Sequence, residues 1–500
     1  MFSAFTNCFK IPELRQRIIF TLAVLVVARI GASIPCPGVN FMVLKEYFRT
    51  VIEQQQQGNV IGLFNLFSGG ALSHCAIFSL TIMPYISASI IVQLAQGVIP
   101  SLGKLSREEG GRQKMTQYTR MGTLILCIVQ GYFLARSFEN PQNLPMLHGI
   151  EVVMAKMGPL VANPGWAFQL TTVITLTAGT MFLMWLGEQI TERGIGNGVS
   201  MIITIGIVSG LPAAITAGWN VFNPPASSGK EAVSPLVLVL LIAFLFAVIA
   251  GTIMITQAMR KVAVQYARQV RGNKVFGGQS SFLPLKVNYA GVMPIIFASA
   301  ILVFPSTIIS MMFPTNEAAH KFISLLAPGT WLYVTLEALM IFFFSFFWVA
   351  MVFNPTQIAD DMKRNGGFIP GVRPGDPTAK FLDFSMTRLT FAGAIFLTVI
   401  AVLPMLISSF MGIPMITAQF FGGTGLLIIV GVMLDTMRQT ETFLLQRHYD
   451  GFLKKGKIRG RSFGASSSQG EAVSEDRIIW LLVLIGIIIV GGIAVSLIKS

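Results

Sequence analysis

The sequence predicts an all-α, multi-pass membrane protein made of two inverted five-helix halves followed by one additional C-terminal transmembrane helix. Three observations carry that expectation. Of 500 residues, 53% are hydrophobic and only 12% are charged, about half the charged share of an ordinary soluble domain. Apolar runs of spanning length recur from one end of the chain to the other. One motif also occurs twice, at equivalent points of the two halves.

Taken in order, residues 1–17 read as a cytosolic amphipathic N-terminus, with Phe2, Phe5 and Phe9 on one side for the inner membrane surface. Lys10, Arg15 and Arg17 lead into the first apolar run without a convincing cleavage site, so an uncleaved anchor is expected. Spans are predicted at about 18–38, 76–98, 120–136, 168–187 and 199–217 for the N-terminal half, 18–217. An external hinge loop at 218–234 follows. The C-terminal half, 235–438, holds spans at about 235–257, 289–312, 331–353, 389–411 and 420–437. A basic cytosolic tail and linker, 439–477, then leads to the extra span at 478–498.

The stretch from Ile61 to Gly97 departs from this pattern. Ile61 to Leu72 is apolar, yet it is too short to cross a bilayer and holds the Gly69-Gly70 pair, which predicts a half-helix. Ile77 to Gly97 is long enough to span. Broken backbone at membrane depth is tolerated only where protein buries it or a cavity borders it, so the stretch points to a pathway and the chain to a channel or transporter.

The formal charge of +14 does not require nucleic acid. With the N-terminus inside, Lys and Arg number roughly 28 in inside segments against roughly 6 in outside ones, which is a positive-inside bias with added attraction to anionic lipids. Three inside loops are long as well as basic: 100–119, 257–288 and 354–388. The second holds Arg260, Lys261, Arg268, Arg271, Lys274 and Lys286 with no acidic residue. Topology alone accounts for that charge as well as a docking surface for ribosomal RNA phosphate or an acidic protein face does. In the third loop, Pro370, Gly371, Pro374 and Gly375 pin the backbone around Arg373, which suits a contact residue.

The repeat pairs Ile82-Met83-Pro84-Tyr85-Ile86-Ser87-Ala88-Ser89-Ile90-Ile91 with Val292-Met293-Pro294-Ile295-Ile296-Phe297-Ala298-Ser299-Ala300-Ile301. Each lies in the second helix of its half. Because five is odd, the halves enter the membrane from opposite sides, and the second and seventh helices should face each other. Ile82, Ile86 and Ile90 share one helix stripe with Gln93 a turn further on, and Ile296 is the repeat mate of Ile86. A lipid-facing or core stripe is the ordinary reading of such isoleucines.

Other chemistry is sparse. Cys8, Cys36, Cys75 and Cys127 form no C-x-x-C pair, and the four histidines are scattered, so no metal and no cofactor is expected. Arg29, Glu337 and Asp435 are the charges clearly inside core helices, and they form no coupling-ion site, which disfavours a secondary transporter. No nucleophile-base cluster supports a membrane hydrolase. Gly194-Ile195-Gly196-Asn197-Gly198 lacks a following Lys-Ser/Thr and follows no strand, so it reads as an interhelical turn and not a phosphate loop. Energy must then come from a partner.

Five runs carry a family resemblance: Phe64-Asn65-Leu66-Phe67-Ser68-Gly69-Gly70-Ala71-Leu72-Ser73, Ile82 to Ile90, Trp185 to Gly198, Leu283-Pro284-Leu285-Lys286-Val287-Asn288, and Phe353-Asn354-Pro355. Over about 10–460 the chain resembles the SecY family, the central subunit of the bacterial Sec protein translocase. The resemblance implies a ten-helix channel that conducts unfolded secretory polypeptides, releases membrane helices sideways, and is not itself an enzyme. It implies that the short helix 61–73 (Ile61, Leu63, Phe64, Asn65, Phe67, Ser68, Gly69, Gly70, Leu72) is a plug, and that Ile82, Ile86, Ile203, Ile296 and Ile428 form a pore ring. A ring of branched apolar side chains would seal by dewetting.

It implies further that a lateral gate binding signal peptides and nascent polypeptides lies between the second and seventh helices, at Ser87, Ile90, Ile91, Gln93, Phe297, Ile301 and Phe304. Arg268, Arg271, Lys274 and Arg373 correspond to docking positions for the SecA motor or the ribosome, and SecE-like and SecG-like subunits would accompany the chain. Where the family often has two adjacent basic residues, Asn273 precedes Lys274. The implied location is the bacterial inner membrane with the N-terminus cytosolic. The extra C-terminal span departs from the common form and would put the C-terminus outside.

Overall fold

The computed structural model describes residues 11–53, 68–106, 108–141, 150–223, 235–266, 269–271, 274–276, 280–312, 321–322, 324–326, 330–411, 417–418 and 422–454. Most of the expected N-terminal amphipathic segment, Ile61 to Phe67 of the expected plug, the loop at 224–234, Arg268, and the tail with its extra span at 478–498 lie outside the described residues.

The first set of helices begins with α1 (Pro12–Gly31) and the short α2 (Phe41–Glu53). It continues with α3 (Met83–Val98), α4 (Pro100–Leu105), α5 (Gly111–Glu139), α6 (Ile150–Met157), α7 (Trp166–Arg193), α8 (Gly198–Ser209) and α9 (Leu211–Phe222). The second set comprises α10 (Pro235–Gln257), then, beyond four strands, α11 (Met293–Met312), α12 (Trp331–Val352), α13 (Pro355–Arg364), α14 (Asp376–Met411) and α15 (Gly423–Lys454). Among the described residues, six helices are long and apolar enough to cross a membrane.

The packing repeats between the sets. In the first, α3 packs on α5, α5 on α7, α7 on α8, and α1 on both α7 and α8. In the second, α11 packs on α12, α12 on α14, α14 on α15, and α10 on both α14 and α15. Each contact therefore has a counterpart, and α8 against α15 joins the sets.

Several boundaries differ from the sequence expectation, for identifiable reasons. The first helix stops at Gly31 and not near 38, because Pro35 and Pro37 cannot continue it. Residues 68–82 form consecutive turns, so the second span is helical only from Met83, where Pro84 occupies the first turn without losing a needed amide bond. Ile82 is therefore the N-cap of that helix and not an interior position. The described part of the expected plug helix, Ser68 to Ser73, is likewise turns. The fifth span divides at Gly210, and Pro212 sits in the first turn of α9. Helices α5, α14 and α15 run well past their apolar cores, since hydropathy marks only the membrane-depth part of a helix.

The second inside loop is a β-ribbon, not an irregular loop. Strand β1 (Met259–Tyr266) pairs antiparallel with β4 (Ser280–Lys286), Val262 opposite Leu283, while β2 (Gln269–Arg271) and β3 (Lys274–Phe276) form its outer hairpin. A two-residue strand, β5 (Gly367–Phe368), comes from the third loop and adds to the other edge of β1. Val262, Leu285, Ile369 and Leu382 bury together with Val349 and Phe353, which fixes both loops to the ends of α12 and α14.

Candidate functional site

The apolar helix faces enclose a cavity of about 80 Å³ between the two sets. Ile82, Ile86, Ile203, Ile296 and Ile428 all line it, together with Ile202, Ile205, Phe78 and Leu183. They come from α3, α7, α8, α11 and α15 and from the turn before α3, segments that the chain order separates by up to about 350 residues. Ile82, Ile86 and Ile428 are buried, and the partly buried Ile203 and Ile296 touch the clusters on both sides of the cavity.

The repeated Met-Pro pair sets this geometry. Both α3 and α11 begin at it, so Ile86 and Ile296 fall on the same turn of their helices. Polar atoms near the cavity are mostly taken up locally: Ser299 Oγ donates to the Ile295 and Ile296 carbonyls at 2.9 and 3.2 Å. Thr81, which lines the cavity, holds a left-handed backbone at φ 55° and accepts the Met83 amide at 3.2 Å. A β-branched residue there is strained, and the turn is held in place by its surroundings.

The described end of the expected plug enters the same place. Ser68 lines the cavity, Ala71 belongs to the core around Ile82 and Ile86, and Leu72 is buried in a separate cluster with Val43 and Tyr47 of α2 and Ile150 of α6. Gly69 and Gly70 both take positive φ, at 62° and 84°, which explains a glycine pair at this point.

The residues expected at a lateral gate divide between two environments. Ile90 from α3 and Phe297 from α11 are buried in one cluster. The Phe297 ring is T-shaped against Phe344 and Trp348 of α12, with centroids 5.7 and 5.6 Å apart. Ser87, Gln93 and Ile301 are half-buried, and Gln93 Nε2 donates to Ser89 Oγ at 3.3 Å. Ile91 is 55% exposed and points away from the cavity. The side chain of Phe304 lies outside the described residues.

Residues 76–437 match the SecY family model. The chain is 46% identical over 451 residues to the protein translocase subunit SecY of Escherichia coli strain K12, covering 90% of this chain and 96% of that protein.

The chain belongs to the SecY family.

It is thus a membrane-embedded subunit of a protein translocation channel, a family of channels and not of enzymes. The fold agrees. A solved SecY protein whose plug domain stabilises the closed state of the translocation channel and maintains a membrane seal aligns at TM-score 0.54 with 16% identity, over 89% of this chain and 94% of that one. Sec61 in the canine ribosome-channel complex from the endoplasmic reticulum aligns at TM-score 0.52 with 15% identity, again over 89% of this chain and 94% of that one.

On this SecY-family chain, Arg271 and Lys274 are paired across the β2–β3 hairpin, and Arg260, Lys261 and Lys286 are exposed on the β1–β4 ribbon. Arg373 is also exposed, in a turn held from both sides. The Val372 amide donates to the Ile369 carbonyl at 3.0 Å, Thr378 Oγ1 donates to the Arg373 carbonyl at 2.8 Å, and Val372 packs into the core beneath.

The glycine turn between α7 and α8 uses its amides internally. Ile195 N donates to Thr21 Oγ1 at 3.1 Å, Gly196 N to Gln439 Oε1 at 2.9 Å, and Gly198 N to Thr191 Oγ1 at 2.9 Å. The turn therefore ties α1 to α15 and aims none of those amides at a phosphate. Cys36, Cys75 and Cys127 are free and buried, and no group of three metal-ligating side chains occurs among the described residues.

One contact at the cavity is not legible in the sequence. Arg29 is a charge in a spanning helix with no coupling-ion partner in the sequence. Its partner is the Gly69 backbone carbonyl. A lone arginine in an apolar helix is the signal, but a carbonyl acceptor leaves no mark in sequence.

Proposed function

We propose that the cavity is the closed constriction of the translocation pore, with Ile82, Ile86, Ile203, Ile296 and Ile428 as its ring and residues 61–73 as its stopper. The observation that supports it is the meeting of five isoleucines from both sets of helices around one space, with Ser68 at its border. Branched apolar groups exclude ions by dewetting and offer a moving polypeptide no hydrogen-bond partner. Signal peptides and membrane segments of nascent polypeptides leave sideways between α3 and α11, past Ile90 and Phe297.

Docking falls to the β1–β4 ribbon and Arg373, whose exposed cations suit the phosphates of a ribosome or the acidic face of a SecA-type motor. The ribosome-bound Sec61 relative supports the first of these. Energy comes from that partner. SecE-like and SecG-like subunits clamp the helices, and anionic lipids meet the basic loops. The chain sits in the bacterial inner membrane with its N-terminus and the ribbon in the cytosol, a reading that the positive-inside bias supports. The C-terminus is outside because of the extra span.

The test is a stalled translocation intermediate. Ile86→Cys and Ile428→Cys should each cross-link to the trapped polypeptide, and Ile125→Cys, exposed on α5, should not. Cross-linking at Ile125 alone would contradict the pore assignment.

A further inference from the structure

Among the described residues, Arg29 is the one charged residue that lines the cavity. It lies in the last turn of α1, whose Leu22, Val26 and Ile30 are exposed on the outer surface of the bundle. An arginine in a last turn ordinarily serves the helix C-terminus or reaches for the surface. Here the side chain does neither. Both Nη1 and Nη2 donate to the Gly69 carbonyl at 3.1 Å, and Ser209 Oγ of α8, which donates to the Gly206 carbonyl at 2.6 Å, lies 3.3 Å from the same Gly69 oxygen.

The other side of the contact is shaped to receive it. A Cβ on Gly69 would stand 2.5 Å from Arg29 Nη1, 2.7 Å from Ser209 Oγ and 2.8 Å from the Gly206 carbonyl, so no other residue fits without moving the guanidinium. Gly70 has the same left-handed backbone, yet a Cβ there would meet nothing closer than Ser73 Oγ at 3.8 Å. Gly69 is thus constrained by the arginine as well as by its φ.

We propose that Arg29 is the latch of the closed channel: it grips the stopper through the Gly69 carbonyl and sets how readily that segment leaves the pore. The inference rests on reading 61–73 as the stopper. A guanidinium in an apolar cavity is costly without an acceptor, so release requires water or the backbone carbonyls of an incoming chain to replace Gly69. An apolar plug of lipid tails could not open it.

The test measures resting ion flux through the complete translocase, accessory subunits included, in proteoliposomes. Arg29→Ala and Gly69→Ala should each raise flux roughly tenfold, as expected for the loss of a charge-assisted hydrogen bond from the closed state. Arg29→Lys should fall between, since one donor group remains. Gly70→Ala measures backbone strain alone and should leak less than Gly69→Ala. The Arg29→Ala/Gly69→Ala double variant should leak no more than the leakier single, because both break one contact.

Deleting 61–73 separates the two readings. A deletion that leaks while Arg29→Ala and Gly69→Ala stay tight overturns the latch and leaves the stopper standing. A deletion that stays tight overturns the stopper and the latch with it. A misfolded Arg29→Ala channel would show no graded recovery with lysine, and additive leakage in the double variant would also contradict the latch.

Discussion

Ile86 and Ile296 line one cavity from matching first turns, the Ile86 amide donating to the Ile82 carbonyl at 3.1 Å and the Ile296 amide to the Val292 carbonyl at 3.3 Å. Met-Pro precedes each. Proline in a first helical turn has no amide to lose and its ring fixes φ, so the same dipeptide starts both helices alike and delivers an isoleucine to the cavity from each side. The repeat is thus a device of geometry as well as a trace of symmetry.

The neighbouring Phe297 should hold α11 to α12, because its ring meets Phe344 and Trp348 edge-on at full burial. Phe297→Ala is expected to lower stability by about 3–5 kcal/mol, combining lost transfer energy, cavity and ring contacts. Thermal unfolding of the detergent-extracted complex checks this. Phe297→Leu should recover more than half of the loss.

Gly198 has no room for a side chain: a Cβ there would lie 1.9 Å from the Gly187 carbonyl and 2.8 Å from Ile190 Cβ. Gly198→Ala should therefore force α7 from α8, at a cost of about 1–3 kcal/mol or more. The readout is the yield of folded chain after mild extraction. Gly371→Ala, where the φ of 82° is strained but a Cβ meets nothing within 4 Å, should lose less.

Arg373 is exposed while its backbone is anchored by Thr378 and Val372. Reversing its charge should then spare the fold and weaken docking. Arg373→Glu is expected to cut partner-driven translocation at least roughly tenfold, since a like-charge contact replaces an attraction. Resting ion tightness and thermal stability should stay at wild-type levels. A loss of stability instead would mean that the side chain belongs to the core.

The sequence made the membrane class, the repeated helix starts and the isoleucine stripe legible, because each depends on local pattern: apolar length, Met-Pro, and spacing by four. The ribbon at 259–286 was hidden. Its alternation survives only in Val262 and Val264, the two buried positions of β1, amid a run of basic residues that reads equally well as loop. The turns at 68–82 were also illegible as such, since Cys75 and Thr81 adopt φ of 47° and 55° that no sequence rule assigns to them. They are imposed by packing, with Cys75 and Ala76 fully buried. The grip of Arg29 on Gly69 depends on α1 and the turns meeting in space, which periodicity within either segment does not encode.

The most direct test of the central claim, that the isoleucine-lined cavity is the seal, is resting conductance of the Ile86→Asn/Ile428→Asn channel in planar bilayers. Both side chains are buried at the cavity, and amides there would hold water where isoleucine excludes it. A steady ion leak with the complex intact is the expected result. Ion tightness equal to that of the wild type would contradict the account.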